Sequence, residues 1–202
     1  MMILLMGPQG CGKGTQGEKL SGFLNIPLIT VGDLLRDLSQ THPRYVELHS
    51  VMDKGELAPF DLVAQLIQEK ITALNCGSNY ILDGWARSLH NLNFFDPNPD
   101  LVLVINISRQ ESVRRVSGRR TCETDGKVYN IYTLPKEEVA KCAGNLVQRE
   151  DDTEDAVNRR LDIYQTETLP VIEYFKKRGT KVIEIDGEQT PEDVFKSVTA
   201  NL

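Results

Sequence analysis

The hydrophobic positions of the chain form short continuous apolar runs, separated by longer segments with helical spacing. Continuous apolar runs are typical of strands that are buried on both faces of a parallel sheet. They lie at residues 2–6, 80–83, 101–105 and 182–185, with a shorter run at 27–29, and the helical spacing is clearest in residues 13–24 and 59–74. Because helices between strands imply crossover connections, the pattern predicts an α/β fold with a doubly wound parallel sheet and helices on both faces.

Two long segments do not follow this alternation. Residues 30–59 are predicted to be helical but contain no long strand, which favours a lobe outside the sheet. Residues 119–151 carry Thr, Asp, Gly, Tyr, Pro and two cysteines without a helical period. A segment of that length without a place in the sheet is typical of an active-site lid or a disordered loop. The chemistry of the flanking residues, described below, favours a lid.

Composition and charge narrow the class of protein. The 202 residues include 29 acidic and 23 basic side chains, a net charge of −6. This balance argues against a protein that coats nucleic acid or an anionic membrane. Because the sequence has no apolar run of membrane-spanning length and no signal-peptide pattern at 1–6, we expect a soluble, cytoplasmic protein. The four irregularly spaced cysteines are expected to be free thiols or part of a metal site rather than a disulfide framework.

The segment 7–15, of sequence Gly-Pro-Gln-Gly-Cys-Gly-Lys-Gly-Thr, carries the strongest functional signal. It has the spacing of a phosphate-binding loop (P-loop) with one extra glycine, and it lies between a predicted strand and a predicted helix. Glycines allow backbone N–H groups to surround a phosphate, and Lys13 adds a positive charge. A structural glycine turn is the alternative, but the lysine and Thr15 fall in register with the motif.

A second signal follows the strand 80–83. Asp83 stands at the end of that strand, where a carboxylate beside a P-loop is able to hold Mg²⁺ through its water shell. Arg87, four residues later, is placed to bind a second phosphate. An Asp-Gly pair alone is more often a turn, so the assignment depends on the neighbouring P-loop.

Arginines flank the predicted lid on both sides. Their positions are Arg114, Arg115, Arg119 and Arg120 before it, and Arg149, Arg159 and Arg160 after it. Arginines in an acidic protein often form solvated surface pairs that contribute little. However, one arginine that reaches the migrating group in phosphoryl transfer contributes about 10³–10⁵ in rate. We therefore expect part of this cluster to be catalytic, and Arg114 and Arg159 to be surface residues.

Taken together, these motifs resemble the adenylate kinase family, in its bacterial long-lid form. The resemblance rests on the P-loop, on Gly-Asp-Leu-Leu-Arg at 32–36, on Asp-Gly-x-x-Arg at 83–87, on Gly-Arg-Arg at 118–120 and on Arg-x-Asp-Asp at 149–152. It covers essentially the whole chain. It implies a monomeric enzyme that converts ATP and AMP into two ADP with Mg²⁺. It also implies a core (1–29, 60–118 and 152–202), a lobe that binds the nucleoside monophosphate (30–59) and a lid (119–151).

The resemblance also implies roles for individual residues. ATP would be bound by Gly10, Cys11, Gly12, Lys13, Gly14, Thr15, Arg115, Arg119, Val128, Tyr129 and Gln189. AMP would be bound by Val31, Arg36, Glu56, Leu57, Ala58, Gly84, Trp85, Ala86, Arg87, Asn91, Arg149 and Arg160. The catalytic residues would be Lys13, Arg87, Arg119, Arg149 and Arg160, with Asp83 and Thr15 associated with Mg²⁺.

Three positions depart from the family pattern near the acceptor nucleotide. Val31 replaces the usual threonine, Asn91 replaces the usual glutamine, and Ala86 replaces a proline. Because the first two positions normally face the acceptor base, a related kinase that prefers UMP or CMP is the alternative function. A regulatory nucleotide-binding protein with a degenerate site is a third hypothesis, but the lysine and arginines of the site are all present.

The lid of some bacterial adenylate kinases holds structural zinc between two pairs of ligands. In this chain Cys122 and Asp125 match the first pair, Cys142 matches the last ligand, and Val139 occupies the third position. A structural zinc site is normally closed by four ligands, so this degenerate set does not favour zinc. Cys11 and Cys76 are predicted to be small buried residues.

Overall fold

A computed structural model describes residues 1–52, 56–124, 126–149 and 152–202. The strands are β1 (Met2–Met6), β2 (Leu28–Thr30), β3 (Tyr80–Asp83), β4 (Leu101–Asn106), β5 (Arg119–Cys122), β6 (Val128–Asn130), β7 (Leu146–Val147) and β8 (Lys181–Asp186). The helices are α1 (Lys13–Leu24), α2 (Val31–Arg36), α3 (Tyr45–Met52), α4 (Phe60–Leu74), α5 (Arg109–Ser117), α6 (Lys136–Val139), α7 (Glu154–Ile163), α8 (Leu169–Lys177) and α9 (Pro191–Thr199). A 3₁₀ turn spans Leu89–Asn93, and a π-helical turn spans Tyr164–Thr168.

The core is a five-stranded parallel sheet of order β2-β3-β1-β4-β8, which confirms the predicted α/β fold. Successive residues of β1 face opposite sides of the sheet, as the pleat requires. Leu4 packs in the apolar layer that contains α4 and α8, whereas Ile3 and Leu5 pack in the layer that contains α1 and α9. Helices therefore cover both faces.

The strand register brings the functional loops to one edge of this sheet. Asp83 at the end of β3 is level with Leu5 of β1 and with Thr30 of β2. The P-loop after β1, the start of α2 after β2 and the segment after β3 therefore leave the sheet side by side. In a doubly wound fold, this carboxyl edge is where ligands bind.

The segment 119–151 contains regular structure that its sequence pattern does not reveal. β5 pairs antiparallel with β6 and with β7 in a separate three-stranded sheet, and α6 lies between β6 and β7. The lack of a helical period in this segment therefore reflects short strands rather than an absence of regular structure in its described residues. The strands are too short to show a period of two.

The described residues of the other unusual segment, 30–59, have the helices that the sequence pattern predicts. Its described residues form α2 and α3 and, beyond the last residue of β2, contribute no strand to the sheet. Within the described ranges, no helix combines the length and the apolar character that crossing a bilayer would require.

Candidate active site

The P-loop joins β1 to α1 through three glycines with positive φ. Gly7, Gly10 and Gly12 have φ of 143°, 79° and 98°, which other residues rarely adopt. A Cβ on Gly7 would also lie 2.3 Å from the carbonyl oxygen of Ile105, so the loop could not keep this path with a larger residue. The motif therefore has the backbone freedom that its sequence predicts.

Lys13 folds back over this loop. Its Nζ donates to the carbonyl oxygens of Gly7 at 2.8 Å and Pro8 at 3.0 Å, and it lies 3.5 Å from Sγ of the buried Cys11. Gly12 is the N-cap of α1, and Thr15 is exposed in the first turn. The N-terminus of α1 and the lysine ammonium thus place positive potential at the same loop, as an anion site requires.

Asp83 is the buried carboxylate of the site. The residue is only 7% exposed, and its Oδ1 has no hydrogen-bond partner among the described residues. Burial raises the pKa of Asp83, while the nearby charges of Lys13 and Arg87, and more weakly Arg36, oppose that rise. An unpartnered carboxylate oxygen at this edge fits a hydrated Mg²⁺ ion, which prefers oxygen ligands.

Two arginines predicted for the acceptor phosphate lie at the same edge. Arg36, in the last turn of α2, donates to Asp33 at 2.6 Å, and Nε of Arg87 donates to the carbonyl oxygen of Gly84 at 3.2 Å. A Cβ on Gly84, the residue after Asp83, would lie 3.6 Å from Nη2 of Arg87, so this guanidinium lies beside the end of β3. The charges of both arginines also oppose the rise in the pKa of Asp83. The structure therefore brings Lys13, Arg36, Arg87 and Asp83 together.

Arg119 and Arg149, at the two ends of the predicted lid, bond to other side chains of the protein. Nε of Arg119 donates to Oδ2 of Asp152 at 2.8 Å, and its Nη2 donates to Oδ1 of the same buried carboxylate. Nε of Arg149 donates to the hydroxyl of Thr121 at 3.3 Å. Arg160 lies in the last turn of α7. In the sequence, Asp152 stands out only as part of a motif, because no pattern pairs residues 33 positions apart.

The arginines of α5 form a local cluster around one carboxylate. Glu111 accepts from Arg114 at 2.7 Å and from Arg115 at 2.6 Å, and these bonds lower the pKa of Glu111 to about 2. Arg114 is a surface residue, as expected. Arg159 donates to Glu56 at 3.4 Å, so this exposed pair joins α7 to the segment before α4.

The remaining residues predicted for ATP lie on two elements. Val128 is exposed and Tyr129 is buried on β6 of the small sheet. Gln189 follows β8, where its Nε2 donates to Asp186 at 3.4 Å. Because β8 is parallel to β1 through β4, Gln189 leaves the sheet at the same edge as the P-loop.

Several residues predicted for AMP direct their side chains into the protein. Trp85 is buried and donates from Nε1 to the carbonyl oxygen of Phe95 at 2.9 Å, and Ala86 is fully buried. Asn91 is 2% exposed, and its Oδ1 accepts the backbone N–H of Ser88 at 2.9 Å in a capping box. In this conformation Nε1 of Trp85 and Oδ1 of Asn91 therefore bond within the protein.

Three further residues predicted for AMP lie at the start of α2 or just before α4. Val31 is buried at the start of α2. Its Cβ would lie 3.4 Å from a Cβ built on Gly84. Leu57 and Ala58 are half-buried just before α4, and Ala58 packs against the core. Val31 therefore presents an apolar wall next to the backbone of the Arg87 loop.

Two of the four cysteines form a disulfide between Cys122 and Cys142, with a Cα–Cα distance of 5.8 Å. The expectation of free thiols or a partial metal site was therefore wrong for these two residues. The physical reason is the pairing of β5 with β7, which joins Cys122 to Leu146 in register and brings together cysteines 20 residues apart. Cys11 and Cys76 are free thiols.

These residues do not fit a structural zinc ion. Zinc binds cysteine as a thiolate, and both sulfurs are already bonded to each other. Val139 has no donor atom, and Asp125 lies outside the described residues. No group of three His, Cys, Asp or Glu side chains suited to a metal occurs within the described parts of the chain.

We predict that the protein, unfolded without reductant, exposes two reactive thiols per chain, and four after reduction. Replacing Cys142 with serine should also make residues 119–151 more susceptible to proteolysis, since a disulfide closing a loop of this length contributes about 3 kcal/mol. Thiol titration and limited proteolysis measure both effects, with Cys76→Ser as the matched control. Four thiols before reduction, or one zinc ion per chain, would contradict the disulfide.

Comparison with known proteins places this site in a family context. A family model described as adenylate kinase matches residues 5–180. An adenylate kinase of Petrotoga mobilis is 38% identical over 209 residues, covering 98% of this chain and 95% of that protein. An adenylate kinase of Methanocella arvoryzae is 38% identical over 211 residues, covering 99% and 97%. One from Halobacterium salinarum is 36% identical over 208 residues, covering 98% and 94%.

Proposed function

Because the chain belongs to the adenylate kinase family, whose members transfer phosphoryl groups between nucleotides, we propose that it converts Mg²⁺-bound ATP and AMP into two ADP. The observation that carries the proposal is the meeting of Lys13, Arg36, Arg87 and Asp83 at the carboxyl edge of the sheet. Phosphoryl transfer needs positive charge on both the donor and the acceptor phosphates, and these residues offer it.

On the donor side, the N–H groups of the P-loop and the N-terminus of α1 bind the phosphates of ATP. Lys13 exchanges its bonds to the carbonyl oxygens of Gly7 and Pro8 for bonds to phosphate oxygens. Both acceptors belong to the P-loop itself, so these bonds hold the lysine close to its working position before the ligand arrives. Preorganised charge of this kind accelerates transfer without further rearrangement.

On the acceptor side, Arg36 and Arg87 bind the phosphate of AMP and orient it towards the donor. Asp83 would hold the Mg²⁺ ion through its free Oδ1 and the water shell of the ion, with Thr15 nearby on α1. When bound, the ion neutralises charge on the donor phosphates. The positive side chains of Lys13, Arg36 and Arg87, together with the buried carboxylate of Asp83, would fix where the two phosphates meet.

We further propose that residues 30–59 and 119–151 are the moving parts of the enzyme. Closure would bring Arg119, Arg149 and Arg160 to the migrating group and would exclude water, which competes with AMP as acceptor. In the closed form, Arg119 would give up one or both of its bonds to Asp152 and would bond to phosphate instead. We also propose that the enzyme is a monomer, and the nucleotides that it would use support a cytoplasmic enzyme.

The most specific part of the proposal is which base the acceptor nucleotide carries. We propose AMP, with weaker discrimination than a fully polar base site would give. Val31 offers no hydrogen bond, and the carbonyl oxygen of Asn91 is already used by Ser88. The phosphate clamp is independent of the base, so other monophosphates remain weak substrates.

We predict that Val31→Thr raises the preference for AMP over UMP and CMP by about 5- to 150-fold, the effect of one added hydrogen bond of about 1–3 kcal/mol. The measurement is ADP formation from ATP with AMP, UMP, CMP or GMP as acceptor. Val31→Ala is the control that changes size without adding a donor. Asn91→Gln is a less direct test, because it also removes the capping box. Faster turnover of UMP or CMP than of AMP by the wild type would contradict the assignment of the acceptor.

A further inference from the structure

The hydroxyl of Thr168 bonds to the loop that carries Arg87. Its Oγ1 donates to the carbonyl oxygen of Arg87 at 2.7 Å, across 81 positions of sequence. Thr168 is 6% exposed and ends the π-helical turn that joins α7 to α8. None of the sequence motifs includes this residue.

The bond is unlike those of other helical threonines in this chain. The hydroxyls of Thr72 and Thr199 each donate to the carbonyl oxygen four residues earlier in their own helix. The hydroxyl of Thr166, in the same π-helical turn as Thr168, donates to the carbonyl oxygen of Asp162 in the adjoining α7. That local bond is the usual one for a threonine within a helix. Thr168 instead bonds to a distant loop. The π-helical turn in which it lies is a distortion that is frequent at functional sites.

The loop that receives this bond has a strained backbone. Ala86 has a φ of 54° and is fully buried, and Gly84 has a φ of 87°. A left-handed conformation is unfavourable for a residue with a Cβ and persists only where the surroundings impose it. The indole of Trp85 bonds to the carbonyl oxygen of Phe95, and Thr168 bonds to the carbonyl oxygen of Arg87, so two long-range bonds hold this loop.

We propose that Thr168 is a positioning residue for Arg87. Its hydroxyl fixes the peptide group of Arg87 in the strained loop, so that the guanidinium stays near Asp83, where the acceptor phosphate is expected. This inference rests on the proposed function, because it assumes that Arg87 binds the phosphate of AMP. It predicts an effect of Thr168 on the binding of AMP and none on the binding of ATP. The proposal gives Thr168 no direct contact with either nucleotide.

The test is the variant Thr168→Val, which has nearly the same shape but no hydroxyl. We expect the KM for AMP to rise about tenfold and kcat to fall a few-fold, while the KM for ATP stays within twofold of wild type. Thr168→Ser retains the donor and should restore the KM for AMP. Thr166→Val is the matched control, since it removes an exposed hydroxyl that bonds to the carbonyl oxygen of Asp162 in the adjoining α7.

A double-mutant cycle separates positioning from a general structural role. If Thr168 acts through Arg87, then Thr168→Val should change the KM for AMP by less than twofold in an Arg87→Ala background. An unchanged KM for AMP in Thr168→Val, or the same tenfold rise without Arg87, would overturn the proposal. If the valine variant does not fold, Thr168→Ala takes its place in the same cycle. Absence of AMP-dependent ADP formation by the wild type would instead reject the proposed function itself.

Discussion

Lys13→Ala is expected to reduce turnover by at least about a hundredfold, because it removes the charge that follows the migrating phosphoryl group. The fold should remain intact. Among the described residues, the lysine bonds to the loop carbonyl oxygens of Gly7 and Pro8 and to Sγ of Cys11, and water is able to replace it there. Steady-state ADP formation and the melting temperature measure the two effects separately.

The matched control for this variant lies on the same helix. Lys19 is six residues further along α1 and pairs with the exposed Glu192 at 3.0 Å. A surface pair of this kind contributes little, so Lys19→Ala should keep wild-type turnover and nearly the same stability. Retention of more than about a tenth of the wild-type turnover by Lys13→Ala would refute the assigned role.

Asp83→Asn should have opposite effects on activity and on stability. Turnover is expected to fall about a hundredfold, because the site loses the carboxylate that would hold Mg²⁺. The melting temperature is expected to stay the same or rise. Burial raises the pKa of Asp83, which means that the charged form is disfavoured in the folded protein, and a neutral amide of the same shape relieves that penalty. A stabilising substitution that abolishes activity is typical of a functional site.

Asp193→Asn is the control, because the folded protein lowers the pKa of Asp193 whereas it raises that of Asp83. Asp193 is an exposed carboxylate in the first turn of α9, and its bonds to Lys196 and Thr190 lower its pKa. Its charge therefore favours the folded state, so the asparagine variant should be slightly less stable and fully active. Normal activity with normal Mg²⁺ dependence in Asp83→Asn would contradict its assignment, and so would a large loss of stability.

The core is predictable from the sequence because its buried strands are continuous apolar runs. β1, β3 and β4 end at the P-loop, at Asp83 and at Asn106. Parallel pairing follows from the helices between them, and the carboxyl edge then gathers the loops. The sequence alone is therefore sufficient to predict that Lys13, Asp83 and Arg87 are neighbours.

The small sheet and its disulfide could not be predicted in the same way. β5, β6 and β7 contain four, three and two residues, which is too few for alternation to be visible. The bond between Cys122 and Cys142 depends on antiparallel pairing that brings distant segments together. Cysteine spacing alone carries no information on that pairing.

Contacts between distant residues explain the other differences at the site. The pair of Arg119 with Asp152 and the bond of Thr168 to Arg87 join residues 33 and 81 positions apart. The inward orientation of Asn91 depends on a capping box that a serine three residues earlier makes possible. That last signal is present in the sequence as Ser-x-x-Asn, a variant of the usual capping pattern, and could have been used.

A full nucleotide balance tests the proposed phosphoryl transfer more directly than any variant does. The purified protein is incubated with ATP, AMP and Mg²⁺, and ATP, ADP, AMP and inorganic phosphate are quantified by ion-exchange chromatography and a phosphate assay. We expect one AMP to disappear with each ATP and two ADP to appear. We also expect negligible phosphate release when AMP is omitted, and formation of ATP and AMP from ADP alone. Release of phosphate from ATP at the same rate without AMP, or no AMP-dependent formation of ADP, would contradict the proposed reaction.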